Sequence, residues 1–281
     1  MVKINEYSNL KLIFIFLVVL AILLIIKSIL LRWIYINNLE IAKKISIGYE
    51  EIQEDYVETV TTVNGTLAVL ADGLGNNEVG RISSMVGVKT IITAFKEEGS
   101  KERMTYFFNK AFKKANHEII KRVEKDKGGA SVLSVIINKN LLSYALVGDV
   151  MLAIFRNNEL VRLSKGHSIS EVAKKEYYNG KIQKQEALYA LKEEKLLYYL
   201  GQESAENIEI SDTPIKLYKN DIIVLMSKGV YKGLSWIEFE KILGDKNITI
   251  NEKSEEIMER VKDNYKDNCN GSIMLMKYTG K

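Results

Sequence analysis

The chain has 281 residues, 27% of them charged and 47% hydrophobic, and 40 Lys and Arg against 36 Asp and Glu leave a formal charge of +4. These values suit one globular domain of ordinary size with something added. The charge is small and scattered, with no basic stripe interleaved with aromatics, so nucleic acid is not an expected partner. The single Cys269 cannot form an internal disulfide, and together with two histidines it cannot build a zinc site of the usual spacing.

In chain order, residues 1–11 read as a short N-terminal tail, and every residue from Leu12 to Ile26 is apolar. Allowing for Lys27 and Ser28 the run continues to Leu31, so that 12–31 approaches the roughly 20 residues a helix needs to cross a bilayer. A cleaved signal peptide shares the basic start and the apolar run, but this run is longer than the usual h-region and no small-x-small site follows it. The expectation is a single-pass transmembrane helix in the cell membrane. Lys27, Arg32, Lys43 and Lys44 follow the run, whereas Lys3 and Lys11 precede it with Glu6, which leans towards a cytoplasmic C-terminal domain. Residues 32–45 read as a juxtamembrane connection continuing as helix, and 46–281 as the domain itself.

Within the domain, short apolar or alternating runs bounded by Gly, Asn, Asp or Lys predict strands at Thr66 to Ala71, Ser131 to Ile137, Leu142 to Val147, Met151 to Phe155, Ile222 to Met226 and Ser272 to Lys277. Arg156-Asn157-Asn158-Glu159 reads as a hairpin turn. Helices are predicted at Arg81 to Phe95, at Ser100 to Lys125, where Phe107, Phe108, Ala111, Phe112, Ala115 and Ile119 share a face, and at Glu252 to Asn264. Strands in runs, with helices gathered between them, argue for an α+β sandwich of antiparallel sheets and not for alternating βαβ units. The tyrosine-rich stretch from Tyr177 through Tyr199 reads as a helical or loop insertion, bounded by Glu171 and Glu206.

Four acidic motifs sit beside these strands: Glu54-Asp55, Asp72-Gly73, Gly148-Asp149 and Asp267-Asn268. Hard divalent ions take oxygen ligands and are held by a few carboxylates, here contributed from separate strand ends. Gly73 lets a main-chain carbonyl come close to a ligand. Taken alone, any Asp-Gly is also an ordinary turn dipeptide. His117 reads as a surface or partly buried histidine, and His167 has no neighbouring acid in sequence.

The order of the motifs resembles that of the metal-dependent PPM serine/threonine phosphatases, the protein phosphatase 2C family. Asp72-Gly-Leu-Gly75, with Ser83-Ser84 beyond it, resembles the family's Asp-Gly-x-Gly motif. Gly129-Ala130-Ser131 resembles its Gly-Thr-Thr segment, Val147-Gly148-Asp149 through Gly166-His167-Ser168 resembles its Val-Gly-Asp-Ser to Asp-His-Ser block, and Asp267-Asn268 resembles its closing Asp-Asn pair. The resemblance spans about residues 46 to 278. It implies a four-layer αββα sandwich with a metal cleft between the ends of the two sheets, and Mn²⁺ or Mg²⁺ held at Glu54 or Asp55, Asp72 with the Gly73 carbonyl, Asp149 and Asp267.

Departures from the family pattern bear on activity. Ser227-Lys228-Gly229 stands where the family has Ser-Asp-Gly, and Glu50 where it usually has a phosphate-binding arginine. An ammonium among converging carboxylates supplies positive charge without an ion and competes with one metal. In the competing reading the Lys228 stem turns outwards and leaves the cleft partly open. The expectation is therefore a membrane-anchored, degenerate phosphatase-like domain that binds a phosphoprotein or regulatory protein, with a low-efficiency Mn²⁺- or Mg²⁺-dependent phosphatase and a structural adaptor at the membrane as the alternatives. In the degenerate case the cleft could work with no metal cofactor at all.

Overall fold

The computed structural model describes residues 2–75, 78–98, 104–123, 128–191, 195–203, 207–264 and 270–280, and the side chains of 2–10 and 31–37 lie outside that description. The elements in order are α1 (Val2–Asn37), β1 (Leu39–Ser46), β2 (Tyr56–Thr62), β3 (Gly65–Leu74), α2 (Glu78–Glu98), α3 (Met104–Arg122), β4 (Gly129–Asn138), β5 (Leu141–Val147), β6 (Met151–Arg156), β7 (Glu159–Arg162), α4 (Ile169–Tyr178), α5 (Lys184–Ala190), β8 (Glu209–Ile210), β9 (Ile215–Lys216), β10 (Ile222–Met226), α6 (Lys228–Gly233), α7 (Trp236–Gly244), α8 (Ile250–Asn264) and β11 (Gly271–Tyr278).

The strands form two antiparallel sheets, β1-β11-β10-β6-β7 and β2-β3-β4-β5-β8, with β9 added to β5. Three apolar clusters hold four layers together. α2 and α3 cover the outer face of the second sheet through Ile91, Phe95, Phe108, Phe112 and Ile119. α7 and α8 cover the outer face of the first through Phe239, Ile242 and Ile257. Leu70, Leu133, Leu152, Ile223 and Met274 fill the space between the sheets. With both faces covered, central strands read as unbroken apolar runs: Gly129 to Ile137 of β4 and all of β10 are buried. The predicted α+β sandwich and its αββα layering are what the structure has.

The phenylalanines predicted to share a face of α3 do so, stacked edge-on or tilted from Phe95 through Phe112. Asn157 and Asn158 both adopt positive φ, 54° and 65°, the two-residue turn that matches the strand twist of a hairpin. The expected insertion folds as α4 and α5, with residues 192–194 and 204–206 outside the description.

The juxtamembrane segment contradicts its expectation. The helix predicted to run through residues 32–45 stops at Asn37, and Leu39–Ser46 is an edge strand paired to β11 in register from Leu39↔Tyr278 to Ser46↔Gly271. The sheet therefore begins at residue 39. A free sheet edge beside β11 offers eight residues of hydrogen-bond partners, which outweighs weak local helix propensity. α1 carries an apolar window at Lys11–Leu30 of mean hydropathy 3.2, none of it buried; a membrane span and a signal sequence both fit it.

Strand direction then fixes which end of the domain faces α1. Leu39 and Tyr278 lie beside the end of α1, Thr279 N–H donating to Asn38 O at 2.9 Å, while Ser46 and Gly271 lie at the far end. The eight residues of β1, at ~3.3 Å each, separate the two ends by roughly 25 Å.

Lys253 on α8 is 5% exposed and donates to Ile242 O at 3.0 Å, Leu243 O at 2.9 Å and Asp245 O, so it serves the carbonyls left over at the end of α7. Burial lowers its pKa, partly offset by Asp245. Lys253→Met is expected to cost about 1–3 kcal/mol in chemical denaturation, because it leaves those carbonyls buried without a donor.

Candidate active site

Four chain segments meet at the end of the sandwich remote from α1. Asp55 immediately precedes β2, Asp72 and Gly73 lie near the end of β3, Asp149 follows β5, and Lys228 opens α6 just after β10. The register places Asp72 opposite Ser131 and Gly73 opposite Ala130. Ser131 in turn steadies the next segment, its Oγ accepting from Asp149 N at 3.1 Å.

The turn bearing Asp149 is held from a second side. Gly148 has φ +108° and its missing side chain leaves room for Ser131. Its N–H donates to His167 Nδ1 at 3.1 Å, and His167 N–H donates to Gly148 O at 2.9 Å. His167 thus positions the turn, a role that sequence spacing could not show. Burial lowers its pKa against the pull of Glu209, which keeps Nδ1 an acceptor.

Asn270 pins the segment before Asp55, with Oδ1 accepting from Glu54 N at 2.7 Å and Nδ2 donating to Ile52 O at 3.1 Å. Ser84 Oγ donates to Glu54 O. Gly73 is glycine for packing reasons, since a Cβ there would run into the carbonyl oxygens of Gly80 and Glu54. The Glu54 side chain lies against Gly80 at the start of α2. Asp55 is the acid of that pair whose charge acts on Asp72.

Asp55 is 4% exposed, and among the described residues neither of its carboxylate oxygens has a hydrogen-bond partner. Burial pushes its pKa up to about 6, opposed by the hydroxyls of Ser272 and Ser227. Asp72 is driven well above the ordinary carboxylate range by burial first and then by the charge of Asp55; the Lys228 N–H, the charge of Asp149 and the Lys228 ammonium follow as smaller influences, only Asp149 adding to the rise. Asp149 is also raised by burial and drawn back by the Tyr231 hydroxyl, Lys228, Arg162 and Lys232. Tyr231 stays protonated, its pKa raised by burial and by Asp149, so its hydroxyl is a donor to that carboxylate.

Lys228 borders this arrangement. Its N–H donates to Asp72 Oδ2 at 3.4 Å, and its ammonium acts on both Asp72 and Asp149. Glu50 is exposed in the turn that follows β1. Asp267 lies outside the described residues. Among the described residues, no three His, Cys, Asp or Glu side chains are arranged to hold a metal ion. The unpartnered oxygens of Asp55, next to a second desolvated carboxylate, nonetheless suit one hard cation. Asp55, Asp72 and the Gly73 carbonyl are the groups that would hold it, while Lys228 brings its own charge to Asp72 and Asp149.

In metal-free, chelator-treated buffer the raised pKa of Asp55 has a definite sign. Between its ordinary value of 3.8 and about 6 the folded chain keeps a proton that the unfolded chain releases, so the stability linked to this group is full below about pH 4 and lost as pH rises through 6. Asp55→Asn is expected to exceed the parent in stability by about 2–3 kcal/mol at pH 7.5, with the gap narrowing at pH 4.5, as read by thermal unfolding at both pH values. An equal gap at the two pH values contradicts the assignment.

The comparisons with known proteins agree with this geometry. The profile of the family described as protein phosphatase 2C matches residues 47–260. The serine/threonine phosphatase stp of Listeria monocytogenes is 24% identical over 221 residues, 76% of this chain and 85% of the relative. Among solved structures, the Streptococcus agalactiae serine/threonine phosphatase superposes with a TM-score of 0.76 at 21% identity, covering 86% of this chain and 99% of that one. The catalytic domain of the phosphatase PstP in complex with two manganese ions superposes at 0.68 with 18% identity, covering 86% and 98%. With that profile covering most of its length, the chain belongs to the protein phosphatase 2C family.

Proposed function

We propose that this chain is a membrane-anchored, degenerate member of the family whose cleft holds a phosphorylated serine or threonine of a partner protein with little or no turnover. The observation that supports this reading is the position of Lys228, whose N–H and ammonium both act on Asp72 and whose charge also reaches Asp149. A fixed cation there repels a divalent ion a few ångströms away by several kcal/mol at an effective dielectric near 20. The same ammonium, with Arg162 and Lys232 also acting on Asp149, gives a phosphate dianion cationic partners. Glu50, in place of an arginine, opposes that attraction from the rim.

A specific observation favours a second reading, a low-efficiency Mn²⁺- or Mg²⁺-dependent serine/threonine phosphatase. The unpartnered Asp55 oxygens suit one ion shared with Asp72. A bound ion there would supply Lewis acidity and lower the pKa of a coordinated water. In either reading Asp149 is steadied by Tyr231, Ser131 and His167, and the cleft points away from α1, towards the aqueous phase if α1 spans a bilayer. Exposed Tyr178 and Tyr189 on α4 and α5, 84% and 73% accessible, offer a surface to a protein partner.

Hydrolysis of a phosphothreonine peptide by the full chain with added Mn²⁺ tests the proposal. The parent is expected to turn over slowly or not at all, Lys228→Asp to raise kcat at least about tenfold, equivalent to about 1.4 kcal/mol of barrier, and Lys228→Asp/Asp72→Ala to abolish the gain. Strong Mn²⁺-dependent turnover by the parent that Lys228→Asp leaves unchanged would overturn it.

A further inference from the structure

We propose that the end of the domain from which α1 departs carries a binding site for a phosphate-bearing anion, and that the phosphodiester headgroup of an anionic lipid is its occupant. The choice of lipid rests on α1 lying in a bilayer; the anion site itself does not.

A cavity of about 1010 Å³ opens there between the end of the first sheet and the loop joining α7 to α8. Ile222, at the start of β10, lines it, whereas the other end of that strand leads into Lys228 and the cleft. Phe155, Leu243 and Ile248 provide apolar floor. Five cationic side chains and three acidic ones line the cavity, and most of these are already engaged. Arg156 pairs with Asp221 through two contacts, Nε to Oδ1 at 3.0 Å and an outer nitrogen to Oδ2 at 2.7 Å. Lys277 faces Glu40 at 3.8 Å, and Lys253 is consumed by the carbonyls ending α7.

Asp245 also lines the cavity, its Oδ1 accepting from Asn247 N–H at 2.8 Å, so the lining as a whole carries two positive charges in excess. Lys219, before β10, and Lys246, between α7 and α8, line the cavity from its two separate segments, are exposed, and have no described ion pair. Arg156 also stacks over Tyr218, 4.7 Å from the ring centroid. The N-terminus of α8 is not the site, because Glu252 already accepts from Thr249 N–H at 2.6 Å and from its hydroxyl at 2.8 Å.

Height above the bilayer selects the source of the phosphate. The apolar window ends at Leu30 and α1 at Asn37, so about seven further helical residues rise roughly 10 Å. A headgroup layer occupies roughly the outer 5–8 Å of each leaflet. Glu40, which lines the cavity, is only three positions beyond the helix, so the cavity stands a few ångströms outside that layer, a gap that the long stem of a lysine can span. Lysines at such a surface each favour anionic lipid about fivefold.

Hydrogen exchange of the full chain in nanodiscs tests this at residues 218–222 and 243–250, comparing phosphatidylcholine with a phosphatidylcholine and phosphatidylglycerol mixture. Exchange is expected to slow about fivefold or more in the anionic discs. The effect should be lost in Lys219→Gln/Lys246→Gln and kept in Lys219→Arg/Lys246→Arg. Inorganic phosphate added to neutral discs forms the second arm: slowing there but not with anionic lipid retains the anion site and rejects the lipid as its source. No slowing in either arm, or slowing that survives the double Gln substitution, overturns the proposal. A chain that fails to enter discs contradicts the membrane reading alone, and the phosphate arm in buffer then decides the site.

Discussion

At one end of the sandwich burial pushes three carboxylates, Asp55, Asp72 and Asp149, towards their neutral forms, and at Asp72 the charges of the other two add to the rise. Burying such groups costs free energy unless positive charge or donors arrive with them. The surrounding elements meet that demand unequally. Asp149 receives the Tyr231 hydroxyl and three cations, Asp72 receives the N–H and ammonium of Lys228, and Asp55 receives only weak help from two serines. The gradient from a satisfied to an unsatisfied carboxylate is the feature from which the functional reading follows: positive charge is already built in on the Asp149 side and still lacking at Asp55.

The fold explains how four segments distant in sequence converge. Antiparallel pairing brings the end of β3, the start of β11 and the end of β10 to the same edge of the sandwich, and glycines at 73, 80 and 148 leave room where a side chain would collide with its neighbours. Such sites have an energetic cost, which the three apolar clusters offset. The same strand directions send α1 from the opposite end. One set of sheets therefore separates a polar cleft from a cation-lined cavity next to an apolar helix, and each end can bind its own partner without obstructing the other.

Much of this was legible in sequence, and the failures have identifiable causes. Long apolar runs such as Val132 to Ile137 and Ile222 to Met226 gave their strands because both faces are buried. The motif order gave Asp72, Asp149 and Lys228. β2 was missed although Asn64-Gly65 signals a hairpin, since Tyr56 to Thr62 alternates with polar residues on a half-exposed edge. α7 was missed although Ser235-Trp-Ile-Glu238 is a capping box, and the structure forms it. β1 was read as helix because pairing with β11, 225 positions away at the closest, is invisible locally. Asn270, Tyr231 and His167 act on the site through contacts that only the folded chain creates, so no spacing rule could assign them.

The central claim is that Lys228 stands in for one cation and leaves room for another at Asp55. Anomalous scattering at the manganese edge, from crystals of the full chain or its nanodisc complex soaked in Mn²⁺, examines this most directly. The account predicts no more than a single manganese peak, beside Asp55 and Asp72, with none between Lys228 and Asp149. Two peaks flanking Asp72, with the Lys228 side chain turned out to solvent, would contradict it.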